Sequence, residues 1–384
     1  MKICIVTGTR AEYGLLKPLM EAVREEKSWI LQLLVTGAHL SPEFGLTYDQ
    51  IIKDGFHINK KVEMLLSADT GTSILKSMGL GMIGYADALE ELSPDFLVIL
   101  GDRYEMLSIA TSALILKIPI IHIHGGEITE GAYDDAIRHA ITKMSHLHFA
   151  STEEYKNRII QMGEPPEYVF NVGAIGIDNI KKLPLLSKSE LENDLNFKFN
   201  KYNYQVTFHP ATLDNESPDT QFEILLGAIE EQQDSFFIFT KSNSDTNGRI
   251  INHMIDDFIS NNKDKAIAFT SLGTLKFLSV LKECDAIIGN SSSGILEAPS
   301  IHTATINIGE RQKGRIQADS VINTRVNRNE IAAAIALTQT NEFKSKVNKT
   351  QNPYGKGDTT DKIMNALKRF QNESFSVKKF YDLK

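Results

Sequence analysis

Hydrophobic positions along the chain follow two spacings, one typical of strands and the other typical of helices. Short runs rich in β-branched residues are separated by longer segments in which apolar residues recur every three or four positions. In the first half the strand-like runs are KICIVTGT, LQLLVTG, KKVEML, DFLVILGD, IPIIHIHG, LHFAST and VFNVGA. Helical spacing is found in LKPLMEAVREE and in the stretch from Thr72 to Leu92. This order predicts βαβ units and a parallel sheet.

A second series of strand-like runs begins after a polar segment without clear periodicity, KKLPLLSKSELENDLNFKFNKYN. Its members are YQVTFHP, FFIFTKS, AIAFTSL, AIIGNSSS, TATINIG and SVINTR. We therefore predict two Rossmann-like, doubly wound α/β lobes facing a shared cleft, with residues 1–180 in the first lobe and 190–360 in the second. The last helical segment, TDKIMNALKRFQNE, has no strand after it and could pack back on either lobe.

The composition excludes some functions and locations that this architecture would allow. The 384 residues include 41 Lys and Arg and 49 Asp and Glu, a formal net charge of −8. This balance argues against a general nucleic-acid-binding protein but permits a small anionic ligand bound locally. Cys4 and Cys284 lie in apolar runs, which favours buried free thiols in a reduced compartment. The N-terminal apolar run is shorter than a signal-peptide core, and no run of about 18 apolar residues occurs. We expect a cytoplasmic protein without a membrane segment.

The segment GLGMIG, from Gly79 to Gly84, has the spacing of a dinucleotide-binding loop. Such a loop must directly follow a strand, whereas SADTGTSILKSM precedes these glycines and helical spacing continues through YADALEEL. We interpret the glycines as small residues that let a helix pack closely. Nicotinamide-dependent redox chemistry is therefore a minor alternative.

Charged residues follow two strand-like runs of the first lobe. Arg10 lies in TGTRAEYG, where a strand runs into a helix start, and Asp102 and Arg103 lie in GDRYE. Backbone N–H groups at a helix start attract anions, and an arginine fork suits phosphate. An ordinary turn would also explain Arg10, and a helix cap would explain Asp102. Anion binding is therefore one interpretation of these positions, and an ordinary turn with a helix cap is the other.

The run IIHIHGGE is followed by a concentration of titratable residues. His122 and His124 are expected on one face of the strand, Glu127 follows the glycines, and Asp134 opens the segment DDAIRH. So many titratable groups near one strand end favour an acid/base site. A metal site is the competing interpretation, and its histidines would be His122, His124, His139, His146 and His148. They lack a tight ligand spacing such as His-x-x-x-His, so we expect no metal.

Polar residues also follow strand-like runs of the second lobe. His209 ends YQVTFHP, and Asn243 follows FFIFT. The run AIIGNSSSGILEAPSI places Asn290, Ser291 and Ser292 before a helix start, with Glu297 about one turn later. Hydroxyls and free N–H groups there could cradle a phosphate, with the carboxylate on ribose hydroxyls, although a serine-rich helix cap is the alternative. The segment NIGERQKGR adds positive charge, beginning with Arg311.

Taken in order, these segments resemble the hydrolysing branch of the UDP-sugar 2-epimerase family. The motifs that carry the resemblance are TGTRAEYG, GDRYE, HIHGGE, DDAIRH, STEEY, FHP, IGNSSSGILEAPS and IGERQKGR, which together cover roughly residues 1–320. The resemblance implies a GT-B type fold whose C-terminal helix, residues 361–384, packs back on the first lobe. It also implies a homodimer or homotetramer.

The resemblance further implies roles for individual residues. UDP would be bound mainly by the second lobe, with Ser291 and Ser292 on the diphosphate and Glu297 on the ribose, while Arg10 would reach the diphosphate from the first lobe. Arg103, Asn243, Asn290 and Arg311 complete the expected binding set. Asp102, Asp134 and His209 fall at catalytic positions of the family. Many relatives have Glu where this chain has His124, so His124 and Glu127 are both candidates for completing the acid/base set.

The reaction implied by the resemblance is loss of UDP from C1 together with the C2 proton, giving a 2-acetamidoglycal to which water adds. UDP-N-acetylglucosamine would yield N-acetylmannosamine for sialic acid biosynthesis, and UDP-N,N'-diacetylbacillosamine is the alternative substrate, leading to legionaminic acid. Neither step requires a metal or another cofactor. A glycosyltransferase of the same architecture is the main rival, and a non-catalytic nucleotide-sugar sensor is a third class.

Overall fold

The chain forms two α/β units. The computed structural model describes residues 1–68, 70–128, 134–209, 217–241, 248–373, 375 and 378–383. The first unit contains the described residues up to Asn179 together with those from Tyr354 onward, and the second contains those from Ile180 to Pro353. The first unit is therefore assembled from both ends of the chain.

The described part of the first unit contains a seven-stranded parallel sheet. In chain order its strands are β1 (Lys2–Thr7), β2 (Ile30–Thr36), β3 (Lys60–Val62), β4 (Phe96–Leu100), β5 (Ile120–Ile123), β6 (Leu147–Ala150) and β7 (Val169–Asn171). Their order across the sheet is β3-β2-β1-β4-β5-β6-β7, and each adjacent pair is parallel. The chain runs outward from β1 in one direction and from β4 in the other, so the switch point lies between these two strands.

Helices cover both faces of this sheet. They are α1 (Arg10–Glu25), α2 (Tyr48–Lys53), α3 (Gly71–Leu92), α4 (Tyr104–Ile115), α5 (Asp134–Met144), α6 (Glu153–Gln161) and α7 (Gly176–Lys182). Side chains of β1 alternate between two apolar clusters: Ile3 and Ile5 pack with residues of α1, whereas Cys4 and Val6 pack with residues of α3 and α4. The strands are buried on both faces, as βαβ connections require.

The second unit repeats this plan with six strands in its described residues. They are β8 (Tyr202–Thr207), β9 (Ser235–Thr240), β10 (Ala266–Phe269), β11 (Ala286–Gly289), β12 (Ala304–Ile308) and β13 (Val321–Thr324). Their order is β10-β9-β8-β11-β12-β13, again parallel throughout, with the switch point between β8 and β11. The helices are α8 (Lys188–Leu195), α9 (Pro218–Glu230), α10 (Gly248–Asn261), α11 (Gly273–Glu283), α12 (Ser293–Leu296), α13 (Arg328–Thr338) and α14 (Asn341–Lys349).

The last helix, α15 (Thr359–Phe370), belongs to the first unit. Ile363, Leu367 and Phe370 are buried in the same apolar cluster as Ile3 and Ile5. Its first turn is capped by a residue that is far away in the sequence: the carboxylate of Asp178 accepts the backbone N–H groups of Thr359 and Thr360 at 2.9 and 2.7 Å. Such a cap satisfies donors that have no partner within the helix.

The structure confirms the expected fold class and each of the predicted strands. The segment GLGMIG lies inside α3, as its helical context indicated. A Cβ atom on Gly84 would lie 2.6 Å from Cγ1 of Val62, so the glycine permits close packing of α3 on β3. Cys4 and Cys284 are buried free thiols. None of the described helices combines the length and the apolar character needed to cross a membrane.

Candidate active site

Most of the residues singled out in the sequence lie at the carboxyl ends of strands beside the two switch points. In the first unit they follow β1, β4 and β5, which are neighbours in the sheet. In the second unit they follow β8, β11 and β12, which are also neighbours. Ligands of doubly wound sheets bind at these edges.

The turn from β1 into α1 is fixed by a capping box. The hydroxyl of Thr9 accepts the N–H of Glu12, and the carboxylate of Glu12 accepts the N–H groups of Gly8 and Thr9 at 2.7 and 3.1 Å. Arg10 is therefore the first residue of α1, and it is exposed. Glu12, which the sequence did not single out, is buried in this turn.

The turn from β4 into α4 places Asp102 and Arg103 at the edge next to this turn. Asp102 forms an ion pair with Arg138 of α5, whose side chain is only 4% exposed. Nη1 of Arg138 also donates to the backbone oxygen of Glu127 at 2.8 Å and to Oδ1 of Asp135 at 3.2 Å. One buried guanidinium thus connects the ends of β4 and β5 with the start of α5.

The loop after β5 has an unusual backbone. His124 has φ +65° and Gly126 has φ +76°, both in the left-handed region. A Cβ atom on Gly126 would lie 2.4 Å from the backbone oxygen of Tyr155, so that position requires glycine. Left-handed backbone at a residue other than glycine is strained and is found preferentially at functional sites.

The strained backbone directs His124 toward Glu127. Nε2 of His124 accepts the backbone N–H of Ile175 at 3.2 Å, so the proton of the neutral ring lies on Nδ1. That Nδ1 is 3.5 Å from Oε1 of Glu127, which also accepts the hydroxyl of Ser151 at 2.8 Å. His124 and Glu127 are therefore in one buried contact network. Asp134, the first residue of α5, is half-buried beside Asp135.

The expectation that His122 and His124 share a face of the strand is wrong. β5 ends at Ile123, and the left-handed backbone of His124 removes it from the alternation of the strand. His122 is fully buried, 2.8 Å from the backbone oxygen of Gly101 and 3.1 Å from Oγ1 of Thr142. Burial lowers the pKa of His122 to about 3, which keeps the ring neutral.

The other histidines of the metal interpretation lie elsewhere. His139 is 3.5 Å from Asp135, and His148 is 3.0 Å from Glu164 at the opposite edge of the sheet. His146 precedes β6 and contacts the backbone N–H of Ile120. Across the described residues, no group of three or more His, Cys, Asp or Glu side chains is arranged to hold a metal ion.

In the second unit, the side chain of Asn290, which follows β11, bonds the backbone of His209, which follows β8. Its side-chain oxygen accepts the N–H of His209 at 2.8 Å, and its side-chain nitrogen donates to the oxygen of His209, also at 2.8 Å. The preceding Gly289 has φ +134°, and a Cβ atom there would lie 2.0 Å from the backbone oxygen of Thr207. This glycine lets the end of β11 approach the end of β8, which fixes the position of His209.

The serine-rich turn after Asn290 leads into α12, which spans only Ser293–Leu296. Ser291 and Ser292 are half-buried, and the hydroxyl of Ser291 accepts the N–H of Ser293 at 3.3 Å. A helix of four residues has a small dipole, so the turn's hydroxyl and N–H groups are the main donors available to an anion here. Glu297 follows it directly, and burial raises the pKa of its carboxyl. Oε2 of Glu297 is buried without a hydrogen-bond partner among the described residues.

The loop after β12 completes this edge. Nη1 of Arg311 and Nε2 of Gln312 both donate to the backbone oxygen of Asn290, at 2.9 and 2.8 Å. Arg311 is otherwise exposed, so its guanidinium lies at the rim of the serine turn. Asn243, the remaining expected binding residue, lies outside the described residues.

Several contacts within the site were not predicted from the sequence. Arg138 and Ser151 hold Asp102 and Glu127, and Glu12 and Glu105 are buried beside Arg103. The spacing of Asp135 and Arg138, three residues apart on a helix, was the one local signal for the arginine. The contacts of Ser151, Glu12 and Glu105 depend on strand neighbours far away in the chain.

Comparisons with known proteins agree with this architecture. The UDP-N-acetylglucosamine 2-epimerase family matches residues 21–368. Over 383 residues the chain is 45% identical to the GDP/UDP-N,N'-diacetylbacillosamine 2-epimerase (hydrolyzing) of Campylobacter jejuni, covering 100% of this chain and 99% of the relative. It is 41% identical to the polysialic acid biosynthesis protein P7 of Escherichia coli, covering 100% and 97%.

A solved structure extends the similarity to the whole fold. The crystal structure of UDP-GlcNAc 2-epimerase from Neisseria meningitidis bound to UDP-GlcNAc superimposes with a TM-score of 0.73 at 22% identity, covering 96% of this chain and 100% of that one. Because the family matches most of the length and two relatives match along the full length, the chain belongs to the UDP-N-acetylglucosamine 2-epimerase family.

Proposed function

We propose that this protein is a hydrolysing 2-epimerase that converts a UDP-activated 2-acetamido sugar into UDP and the free 2-epimer. The observation that carries the proposal is full-length identity of 45% to a relative named as a hydrolysing 2-epimerase. The arrangement of Asp102, Arg138, His124 and Glu127 at one sheet edge supports it, because proton transfer needs carboxylates and histidines held in fixed positions.

The proposed reaction has two steps that balance with one water molecule. A base takes the proton from C2, the C1–O bond breaks, and UDP leaves with the bonding electrons to give a 2-acetamidoglycal. Water then adds its oxygen to C1, and a proton is delivered to the opposite face of C2. The C2 hydrogen is not acidic by itself, so its removal is coupled to departure of the diphosphate. Cationic groups near the leaving oxygen stabilise the charge that develops there.

In the first unit, Asp102, Asp134, His124 and Glu127 are the proposed proton-transfer groups. Asp102 is held by the buried Arg138, so its position is set by α5 as well as by β4. His124 and Glu127 are held by Ile175 and Ser151. Fixed carboxylates of this kind reduce the reorganisation that accompanies proton transfer. Arg10 and Arg103 are proposed to bind the diphosphate.

In the second unit, the serine turn and its neighbours are proposed to bind UDP. Ser291 and Ser292 would donate hydroxyl groups to phosphate oxygens, and the unpartnered Oε2 of Glu297 would accept ribose hydroxyls. Arg311, anchored on the backbone of Asn290, adds positive charge at the same rim. Asn243 completes the proposed binding set, and His209, locked by Asn290, is the proposed catalytic histidine.

Two substrates have specific support. The relative at 45% identity is named for N,N'-diacetylbacillosamine, which favours UDP-N,N'-diacetylbacillosamine. The relative at 41% identity is named for polysialic acid biosynthesis, which favours UDP-N-acetylglucosamine and N-acetylmannosamine as the product. The two sugars differ at C4 and C6, so they are distinguished by side chains near those positions.

Incubation of the purified protein with each nucleotide sugar in D2O tests both the reaction and the substrate. We expect UDP release and one deuterium at C2 of the released sugar, with the higher kcat/KM identifying the substrate. A glycosyltransferase or a simple hydrolase would leave C2 unlabelled. Absence of UDP release from both nucleotide sugars would contradict the proposal.

A substitution at Asp102 tests the role of the first unit. Asp102→Asn should lower kcat by about 1,000-fold or more while UDP still binds, because the side chain keeps its shape and loses its proton-accepting charge. Asp361→Asn, an exposed residue of α15, is the matched control. Full activity in Asp102→Asn would remove this residue from the catalytic set.

A further inference from the structure

Two buried carboxylates lie beside Arg103 at the switch point of the first sheet. Glu105, in the first turn of α4, is 1% exposed, and Glu12 occupies the capping box of α1. Both approach Gly8: the position of a Cβ atom on Gly8 would be 2.9 Å from Oε1 of Glu105 and 3.3 Å from Oε2 of Glu12. The two glutamates, on different helices, are thus gathered around a single glycine.

Each of these carboxylates has one oxygen that is used and one that is not. Oε1 of Glu105 accepts Nε–H of Arg103 at 2.6 Å, and Oε2 of Glu12 accepts the N–H groups of the capping box. Oε2 of Glu105 and Oε1 of Glu12 are buried without a hydrogen-bond partner among the described residues. A proton on one carboxyl would remove one of the two negative charges, which is how neighbouring buried carboxylates are commonly accommodated.

Arg103 is held at one end and open at the other. Its Nε is bound to Glu105, and within the described residues neither Nη atom has a hydrogen bond. Its side chain is 45% exposed, whereas Glu105 is almost fully buried. An arginine anchored through Nε presents both Nη groups in a fixed plane, which suits two oxygens of a phosphate.

The charge of this cluster decides whether it attracts an anion. With both carboxylates ionised, Glu12, Glu105 and Arg103 carry a net charge of −1, which would oppose an incoming diphosphate. With one shared proton the cluster is neutral, and the outward guanidinium dominates the local field. Unlike charges at such distances act strongly where water is excluded.

We propose that Glu105 is a positioning residue that orients Arg103 toward the diphosphate of the substrate, and that Glu12 and Glu105 share the proton that keeps this cluster from repelling it. This inference rests on the proposed function, because a nucleoside diphosphate is the anion that Arg103 would meet. It gives roles to two glutamates that lie outside the proposed proton-transfer set.

The electrostatics of Glu12 agree with this geometry. Burial and the neighbouring Glu105 raise the pKa of Glu12 to about 7, against the opposing effect of Arg103. The other titratable groups around the pair are Tyr85 of α3, Tyr104 of α4 and, through its backbone bond to Gly8, His39. Burial raises the pKa of Tyr85 and lowers that of His39 to about 4, so both stay neutral near pH 7.

A double-mutant cycle with UDP alone as the ligand tests the positioning role. We expect Arg103→Met to weaken UDP binding by about 30-fold and Glu105→Gln by about 10-fold, both measured by calorimetry at pH 6.5. Glu105→Gln keeps the shape of the side chain, so it should raise KM more than it lowers kcat. In the double variant, Glu105→Gln should add no further loss, because there is no guanidinium left to orient. If Arg103→Met does not fold, Arg103→Lys takes its place.

The shared proton is tested by the pH dependence of UDP binding. As the pH rises from 6 to 8.5, wild-type affinity for UDP should fall by about 10-fold, because Glu12 ionises and adds negative charge. Glu12→Gln mimics the protonated carboxyl, since its amide carries no charge, and should remove most of this fall. For Glu105→Gln the matched control is Glu330→Gln in the exposed Arg325–Glu330 pair, whose Nε–Oε1 distance of 2.7 Å resembles that of Arg103 and Glu105.

Four outcomes would overturn the inference. They are additive losses in the double variant, unchanged UDP affinity in Glu105→Gln, unchanged affinity in Arg103→Met, and the same pH profile in Glu12→Gln as in the wild type. Failure of the proposed function is visible separately, as absence of UDP release from sugar nucleotides by the wild-type protein. UDP binding is measured without turnover, so the two failures cannot be confused.

Discussion

Two clusters of buried glutamate lie at opposite edges of the first sheet, and their charges are balanced in opposite ways. At the carboxyl edge, the part of the chain that the structure describes places one cation, Arg103, beside both Glu12 and Glu105. At the amino edge, Glu164 alone is contacted by Lys143 at 2.6 Å, Lys378 at 2.7 Å and His148 at 3.0 Å. One cluster has more carboxylates than cations, and the other has more cations than carboxylates.

The pKa values follow this difference. Burial opposes ionisation of Glu164, but hydrogen bonds from His148, Lys143 and Lys378 outweigh it and lower its pKa to about 2. Burial raises the pKa of Glu12 to about 7, and the negative charge of Glu105 acts in the same direction, against the smaller opposing effect of Arg103. At pH 7, therefore, Glu164 is ionised, whereas Glu12 is close to its pKa and exists in both the protonated and the ionised form. Incomplete satisfaction of buried polar groups is typical of functional sites, whereas complete satisfaction is typical of structural ones.

Removing Glu164 should have the largest effect on stability. Glu164→Ala removes the shared buried partner of His148, which is fully buried, and of Lys143 and Lys378, which are partly exposed. We expect a loss of about 3 kcal/mol in the free energy of unfolding at pH 7. Urea denaturation measures this loss, and Glu91→Ala, in an exposed pair with Lys60, is the control. A loss below about 1 kcal/mol would mean that the cluster is not structural.

The contribution of Glu164 also has a defined pH dependence. Its folded pKa lies below the ordinary value of 4.5, so the stabilisation is fully present above about pH 4.5 and is lost as the pH falls toward 2. The difference between wild type and Glu164→Ala should therefore narrow over this range. An unchanged difference at pH 3 would contradict the pairing.

Glu12→Gln should increase the stability of the protein at high pH, whereas Glu164→Ala decreases it. The folded pKa of Glu12 lies above the ordinary value of 4.5, so its contribution is fully favourable below about pH 4.5 and declines as the pH rises through 7. At pH 8 we expect Glu12→Gln to be more stable than the wild type by about 1–2 kcal/mol, with little difference at pH 4.5. Thermal unfolding at the two pH values measures this. Equal stabilities at pH 8 would show that Glu12 is ionised without cost.

Lys378→Met should have the smallest effect. It removes one of the three partners of Glu164 and leaves Lys143 and His148 in place, so we expect a loss of about 1 kcal/mol at pH 7. Affinity for UDP should not change, because this cluster lies at the edge away from the candidate site. A change in UDP affinity larger than about threefold would contradict the separation of the two clusters.

The sequence predicted the fold and the strand ends better than it predicted the partners there. Parallel strands bring their carboxyl ends to one edge, so Arg10, Asp102 and Arg103 could be grouped from the strand pattern alone. The serine turn and His209 could be grouped in the same way, and their joint position beside Asn290 follows from the pairing of β8 with β11.

The contacts that fix these side chains could not be predicted. Arg138 meets Asp102 across 36 positions of sequence, and Glu12 approaches Glu105 only because β1 and β4 are neighbours. Which strands become neighbours is decided by the whole fold. His124 shows a second limit, because its left-handed backbone depends on packing of the adjacent glycines and not on the local pattern.

The return of α15 to the first unit has a consequence for synthesis of the protein. The ribosome releases β1 well before α15, but the cluster that buries Ile3 and Ile5 also needs Ile363 and Leu367 of that helix. The opening strands must therefore wait, with part of their apolar surface uncovered, while the whole second unit emerges. A nascent chain stopped before Thr359 would lack this cover, so the second half of the molecule has the better prospect of folding during translation.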